Sequence, residues 1–527
     1  MLTPPRRRNL LAIFLAVATI VAGSSVTKAD EGHRLMIVDA FSEGVSSGSE
    51  IYAVPDEQVQ KILKNEPNDY LSTRKFCETL NANACKQSTG LALRIFLPVC
   101  APSVNNYCIE SLAISASNDG PFQNGELIGY TNSRTYPADS SRGVPESATT
   151  SRWKIPNALN KAGTDTYAVK LLLDGFLSAT SNKLFVFQVS ALIEPYSETT
   201  SSANTSAACT SWQSGTSCGI RKDFNDGQKA KLTVRLPNTI TGWLHGRLKG
   251  AAISIEKFDE SQNKLTVTAE NVKVPELNTV LSNAQMDALA DPSFFRPNGR
   301  QWNSVNAGNP ASLDWIKNLA KPLKDTATGE HTTWSFSTIP TSRERDRCFA
   351  DTTQLFGVVM TNSLVYSPNA PAFDGTQLNY QVGGLHFQSD GKTPNLGTYD
   401  LLMRSDTARC LYNFTNAPLS ASVSISYADG GEQKIATTAL SEKDGWLHLG
   451  AYGFTFSSPV LRVKLSGVPK ALPKTNTSQI DSSTDGSKKQ SPMSTNKKSY
   501  TVTCIKGKLV KKIIAPKPNC PTGWKKK

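Results

Sequence analysis

Two-residue alternation of apolar and polar side chains is the feature that most restricts what this chain can fold into. Leu232, Val234 and Leu236 alternate with Lys231, Thr233 and Arg235. Ile253 and Ile255 alternate with Ser254 and Glu256, and Leu265, Val267 and Ala269 with Thr266 and Thr268. The same period returns in Val423, Ile425 and Tyr427, and again in Leu461, Val463 and Leu465. Successive strand residues point to opposite faces, so each segment carries one apolar and one wet face. Such strands suit antiparallel sheets packed face to face. Asp259–Asn263 and Asp429-Gly430-Gly431 supply polar turns between them. The pattern predicts a mainly β fold with two tandem antiparallel β-sandwich-like domains, over 166–275 and 341–469.

The segments around these domains read differently. Residues 30–165 form an irregular N-terminal region. Within it Leu35–Phe41 and Leu91–Val99 read as strands, Pro55–Leu63 as a short helix, and 115–150 as loop-rich in Ser, Asn, Gly and Pro. Residues 276–340 read as a helical connector. Leu277, Val280, Leu281, Ala284 and Ala288 follow Pro275 at helical spacing and stop at Asp291-Pro292. Leu313, Ile316 and Leu319 form a second helical set ending before Pro322. One echo links the halves: Gly242-Trp243-Leu244-His245 recurs as Gly445-Trp446-Leu447-His448. A repeated module would produce it, and would make both histidines structural.

Cysteine usage and the N-terminus agree on a compartment. Arg6, Arg7 and Arg8 precede a thirteen-residue apolar run, Leu10 to Ala22, and a small-residue stretch ending at Ala29. That is the layout of a secretory signal peptide over 1–29. The run is short for a membrane anchor, and no second long apolar stretch follows. Arg7-Arg8 approaches a twin-arginine signal, but the strong apolar core favours ordinary export. The ten cysteines fall as Cys77/Cys85, Cys100/Cys108, Cys209/Cys218, Cys348/Cys410 and Cys504/Cys520. An even count in an exported chain argues for disulfides, with sequential pairing the simplest connectivity. No CxxC pair and no nearby His support a metal site, so no metal or cofactor is expected.

Charge is divided unevenly along the chain. The net charge is +13. Residues 1–29 hold +4, and residues 470–527 hold fourteen Lys against Asp481 and Asp485, which leaves 30–469 at −3. A nucleic-acid-binding face is therefore not expected on the body. Residues 470–499, rich in Ser, Thr, Lys and Asn, lack the apolar groups to bury a core and read as a flexible linker. In 500–527, Thr501–Ile505 and Leu509–Ile514 read as two strands about Lys506-Gly507-Lys508. So short a segment needs a staple. A Cys504–Cys520 bridge would supply roughly 3 kcal/mol. The product is a small disulfide-closed hairpin bearing Lys506, Lys508, Lys511, Lys512, Lys517, Lys525, Lys526 and Lys527.

This tail resembles a C-terminal segment found on many secreted actinobacterial proteins. The resembling features are Thr-x-Thr-Cys504-x-Lys506-Gly507-Lys508 with Lys511-Lys512, then Lys517-Pro-x-Cys520-Pro-x-Gly with Trp524 and the terminal Lys run. The resemblance implies an appended envelope- or export-associated tag and no enzymatic activity. The body looks similar to secreted actinobacterial proteins without assigned function, through Leu97-Pro98-Val99-Cys100, Cys108-Ile109-Glu110-Ser111 and Asp444-Gly445-Trp446-Leu447.

Catalytic motifs are weak. Gly44-Val45-Ser46-Ser47-Gly48 matches GxSxG, but no helix start follows, as a nucleophile elbow requires. Gly391-Lys392-Thr393 lacks the Gly of a phosphate loop, His386 standing there instead. No HExxH occurs, and His33, His331 and His386 are scattered. Asp259/Glu260 and Asp119/Glu126 sit in turn or loop segments, where acids serve solubility and turn chemistry. The Asp119–Glu126 and Asp390–Asp400 loops lack EF-hand spacing for calcium. Trp153, Trp212, Trp302 and Trp334 would stack on sugars if exposed, and more often fill cores. Asn204, Asn413 and Asn476 begin N-x-S/T sequons.

The expectation is an exported, envelope-associated structural or binding protein whose cationic tail contacts anionic wall polymer or acidic glycan. The rival is a secreted hydrolase of glycans or esters. Nothing in the sequence speaks to oligomeric state.

Overall fold

The alternating segments become register in the structure. Lys229–Pro237 and Gln262–Glu270 pair antiparallel with Leu232 opposite Val267 and Val234 opposite Leu265. Their apolar residues therefore meet on one face, and all four are buried. The chain is described here by a computed structural model, which covers residues 33–38, 48–64, 70–102, 107–178, 183–200, 209–240, 242–282, 285, 302–306, 310–320, 323–338, 348, 355–367, 370–416, 419–426, 432–434, 437–456, 460–469, 500–506, 509–515 and 525–526. These fall into two compact units, one ending at Lys470 and one beginning at Ala471.

The first unit is mainly β, in three layers. A five-stranded sheet carries, in order, Lys249–Lys257, Gln262–Glu270, Lys229–Pro237, Cys108–Ser115 and Phe122–Asn124. A six-stranded sheet is built from Val365–Tyr366, Leu378–Gly383, Val460–Ser466, Ser420–Ser426 and Glu432–Lys434, with Ala372–Phe373 beside Leu378–Gly383. Between them runs a larger sheet. Its continuous path is Glu50–Val54, Gly90–Phe96, Thr166–Ser178, Lys183–Thr200, Gly329–Thr338, Gly242–Arg247, Leu355–Thr361, Leu396–Arg404, Trp446–Thr455 and Thr437–Lys443. Neighbours along this path are antiparallel except Gly242–Arg247 with Leu355–Thr361, which are parallel.

The two sheet-on-sheet packings thus share their middle layer. Leu171, Leu244, Val358 and Leu402 pack with Leu232, Val234 and Val267 in one core. Trp243, Val359, Leu401 and Leu449 pack with Leu378, Leu461 and Val463 in the other. Adjacent residues 243/244, 358/359 and 401/402 enter different cores, so these strands are covered on both faces by opposite layers. The boundaries expected near 165, 275 and 340 are all crossed by strand pairing, through Gly90–Phe96 with Thr166–Ser178 and Gly242–Arg247 with Leu355–Thr361. The region read as irregular contributes strands to two layers.

One helical expectation fails. Val272–Leu281, with Pro275 inside it, is a strand paired to Gly329–Thr338 and then to His33–Val38. Leu277 and Leu281, four apart, share a face in either a helix or a strand, so their spacing did not discriminate. Val280 does: a helix would turn it inward beside them, and it is 56% exposed. Ala284 and Ala288 lie outside the described residues. The second helix is present as Pro310–Ala320, burying Leu313, Trp315, Ile316 and Leu319. The helix after Pro55 spans Asp56–Leu63, with Asp56 and Glu57 in its first turn and Lys61 in its last, as the helix dipole favours.

Disulfides join Cys77–Cys85, Cys100–Cys108, Cys209–Cys218 and Cys348–Cys410. The last closes 62 residues, worth roughly 4 kcal/mol in the chain-entropy account. Among the described residues no helix is long and apolar enough to cross a membrane.

The second unit is a three-stranded sheet with Tyr500–Lys506 in the middle, Leu509–Ala515 on one side and Lys525–Lys526 on the other. The two expected strands are there. The terminal Lys run, read as a charged end, supplies the third. Cys520 lies outside the described residues.

Candidate functional site

Two arrangements carry chemistry. The first is the tail sheet. Of its eight expected polymer-contacting lysines, Lys506, Lys511, Lys512, Lys525 and Lys526 fall on described strands; Lys508, Lys517 and Lys527 lie outside the described residues. Register places Lys511 and Lys526 on either side of Cys504 in one cross-strand row. Strands stand about 4.8 Å apart, so these two positions are separated by about twice that. Lys512 stands opposite Thr503, and Lys525 opposite Ile505. No two of the five are direct cross-strand partners, which avoids the closest like-charge repulsion. They nonetheless stand on all three strands of a very small sheet. Such a concentration of one sign attracts polyanions and is relieved by them.

The second arrangement lies in the middle sheet of the first unit. Asp400 stands directly opposite Gly450, and its side chain is fully buried. His448 and Tyr452 flank that glycine at i−2 and i+2, so the pleat puts all three on the face that Asp400 shares. His448 Nε2 lies 2.9 Å from Asp400 Oδ1, and the Tyr452 hydroxyl donates to the same oxygen at 2.5 Å. Asp400 Oδ2 accepts from the Gly250 N–H of the covering sheet at 3.4 Å. A Cβ at position 450 would overlap the Tyr452 hydroxyl, so the glycine is what lets the phenol reach Asp400. Burial, then the nearby Asp400, hold the Tyr452 hydroxyl far above its ordinary value, keeping it a donor. A carboxyl that accepts from Nε2–H leaves Nδ1 as the lone-pair nitrogen of the neutral ring. His448 is only partly buried, at 24% side-chain exposure. Ser441, exposed on the edge strand Thr437–Lys443, is its direct register partner.

The sequence reading missed this cluster. Its signal was present in His448-Leu449-Gly450-Ala451-Tyr452, where period two aligns His, Gly and Tyr on one face. The acid that completes it comes from a strand 48 residues away, which no local pattern announces.

Other candidates resolve into structure. His245 Nδ1 meets the Tyr366 hydroxyl at 3.0 Å, and the buried Arg247 guanidinium lies over that ring and donates to the carbonyls of Ser363 and Leu364. The two echoed tetrapeptides both enter the middle sheet, but Trp243 faces the core that Leu447 faces, and Leu244 the core that Trp446 flanks. Trp153, Trp212 and Trp334 are buried and unavailable for sugar stacking; the Trp302 side chain and Ser46 lie outside the described residues. Asp259 accepts the N–H groups of Ser261 and Gln262 as a turn residue. Asp390 does the same for Lys392 and Thr393, so the Gly391-Lys392-Thr393 amides already serve a turn. Hydrogen bonds, chiefly from Thr393, lower the Asp390 carboxyl to about 2. Asp119 pairs with Lys229 at the surface, and His386 Nδ1 lies 3.0 Å from the Phe456 carbonyl. Lys170 and Glu194 form a buried ion pair at 3.0 Å, to which Ser211 adds a hydrogen bond.

The chain matches no family model, no curated protein and no solved structure.

Proposed function

We infer that this is an exported binding or structural protein of the cell envelope, whose C-terminal sheet contacts anionic wall polymer or acidic glycan. The observation that carries the reading is the placement of Lys506, Lys511, Lys512, Lys525 and Lys526 across all three strands of one small sheet. Four disulfides in the first unit fit an oxidising compartment. The signal-like N-terminus fits export, and the slightly acidic body leaves the attraction to the tail. The full chain is expected to pellet with purified anionic wall polymer at low ionic strength. A variant with the five lysines changed to Gln should remain in the supernatant, while the same positions changed to Arg should still pellet. Equal pelleting of the parent and the Gln variant would remove the tail from the account.

A second reading, a secreted hydrolase of esters or glycans, is favoured by the Asp400–His448 pair with Ser441 opposite. A buried carboxyl orienting a partly exposed imidazole is the base-and-orienter half of acid–base machinery. It predicts turnover of a chromogenic acyl ester or aryl glycoside that is lost in both His448→Ala and Ser441→Ala. Turnover unaffected by either substitution would rule this site out as its source.

A further inference from the structure

A separate, basic pocket opens in the first unit, away from the acid–imidazole cluster. It is an open depression of about 320 Å³ lined by Lys161, Ala162, Arg221, Lys222, Asp223 and His331. Its walls are firmly built. Lys161 and Ala162 lie on a tight turn organised by the buried Asn160, whose Oδ1 accepts the Ala162 and Thr164 N–H groups at 3.0 and 3.3 Å. The Lys161 N–H donates to the Asp223 carbonyl at 3.0 Å, and the Lys222 N–H to the Pro195 carbonyl at 2.8 Å. Arg221 ends the strand Ser217–Arg221, which carries Cys218 of the Cys209–Cys218 bridge. His331 comes from Gly329–Thr338, a strand of the middle sheet.

The cations here outnumber the acids, with Lys161, Arg221 and Lys222 against Asp223 and Glu276. Asp223 is committed inward, its Oδ1 accepting the Thr332 N–H at 2.7 Å and hydroxyl at 3.1 Å. Glu276 lies 3.0 Å from Arg221 Nη2 and 2.8 Å from His331 Nδ1. Those two neighbours, His331 first, hold its carboxyl below the ordinary range. Lys161 and Lys222 make no ion pair among the described residues. Lys161, Arg221 and Lys222, with His331 beside them, therefore leave a net positive charge around a cavity whose other lining residues are Ala162 and Asp223. Pockets for apolar ligands are lined chiefly by hydrophobic and aromatic groups. The residues lining this one are instead mostly charged, and about 320 Å³ is at the small end of ligand sites.

We propose that this pocket binds a monosaccharide-sized, polar ligand bearing one oxyanion, a carboxylate or a phosphate, held by Lys161 and Lys222. The site is independent of the tail sheet. The test is titration calorimetry on the full chain with glucuronate, with glucose 6-phosphate and with glucose as the neutral control. Saturable binding of either acid and none of glucose is expected; glucuronate alone identifies the group as a carboxylate, and the sugar phosphate alone as a phosphate. Lys161 is exposed and Lys222 half-buried without an ion pair, so Lys161→Ala/Lys222→Ala should fold and bind roughly tenfold more weakly or worse. The tail variant with five Lys→Gln changes should bind like the parent. Absence of saturation with both acids overturns the proposal. So does binding that survives the pocket variant but disappears in the tail variant, which would assign it to the tail.

Discussion

At the residue scale, Gly450 decides more than its size suggests. It stands opposite Asp400 on the strand Trp446–Thr455, and any side chain there meets the Tyr452 hydroxyl. Gly450→Ala should swing the phenol off Asp400 and leave that fully buried carboxyl short of a donor, costing about 1–3 kcal/mol. Denaturant unfolding measures this directly. A double-mutant cycle assigns it: Tyr452→Phe should destabilise the parent but add little in the Gly450→Ala background. Full additivity of the two changes would mean that the glycine does not act through the tyrosine. His448 and His245 illustrate a limit of sequence reading at this scale. The same Gly-Trp-Leu-His neighbours surround both, yet one imidazole meets a phenol and the other a buried acid.

At the element scale, legibility followed the uniqueness of the period. Leu232–Leu236 and Leu461–Leu465 fit only a strand and are strands. Leu313, Ile316 and Leu319 fit only a helix and lie in one. Leu277 and Leu281 fit both, and tertiary pairing with His33–Val38 chose the strand. The difference is testable through energetics. Leu277, 1% exposed, should cost about 2–5 kcal/mol when changed to Ala. Val280, more than half exposed, should cost less than about 1 kcal/mol when changed to Ala. Thermal or chemical unfolding of the two variants separates them; similar large losses would restore a helical packing in which both point inward.

At the scale of the molecule, sequence reading caught the strand-rich composition and missed how the layers are shared. Period two reports which face of a strand is apolar, and it is silent about which sheet that face meets. The strand Leu355–Thr361, apolar on both sides, was the available hint of a middle layer. Charge partition was legible without any fold: a body near −3 and a tail near +12 can be counted directly. What register adds is that five of the tail lysines stand on one small sheet rather than along a loose chain. The functional account rests on that concentration of charge. Its most direct test is cosedimentation of the full chain with purified anionic wall polymer across a salt series. The account predicts binding at low salt that falls steadily as the screening length shrinks toward about 3 Å near 1 M. Binding that is unchanged across the series would contradict it.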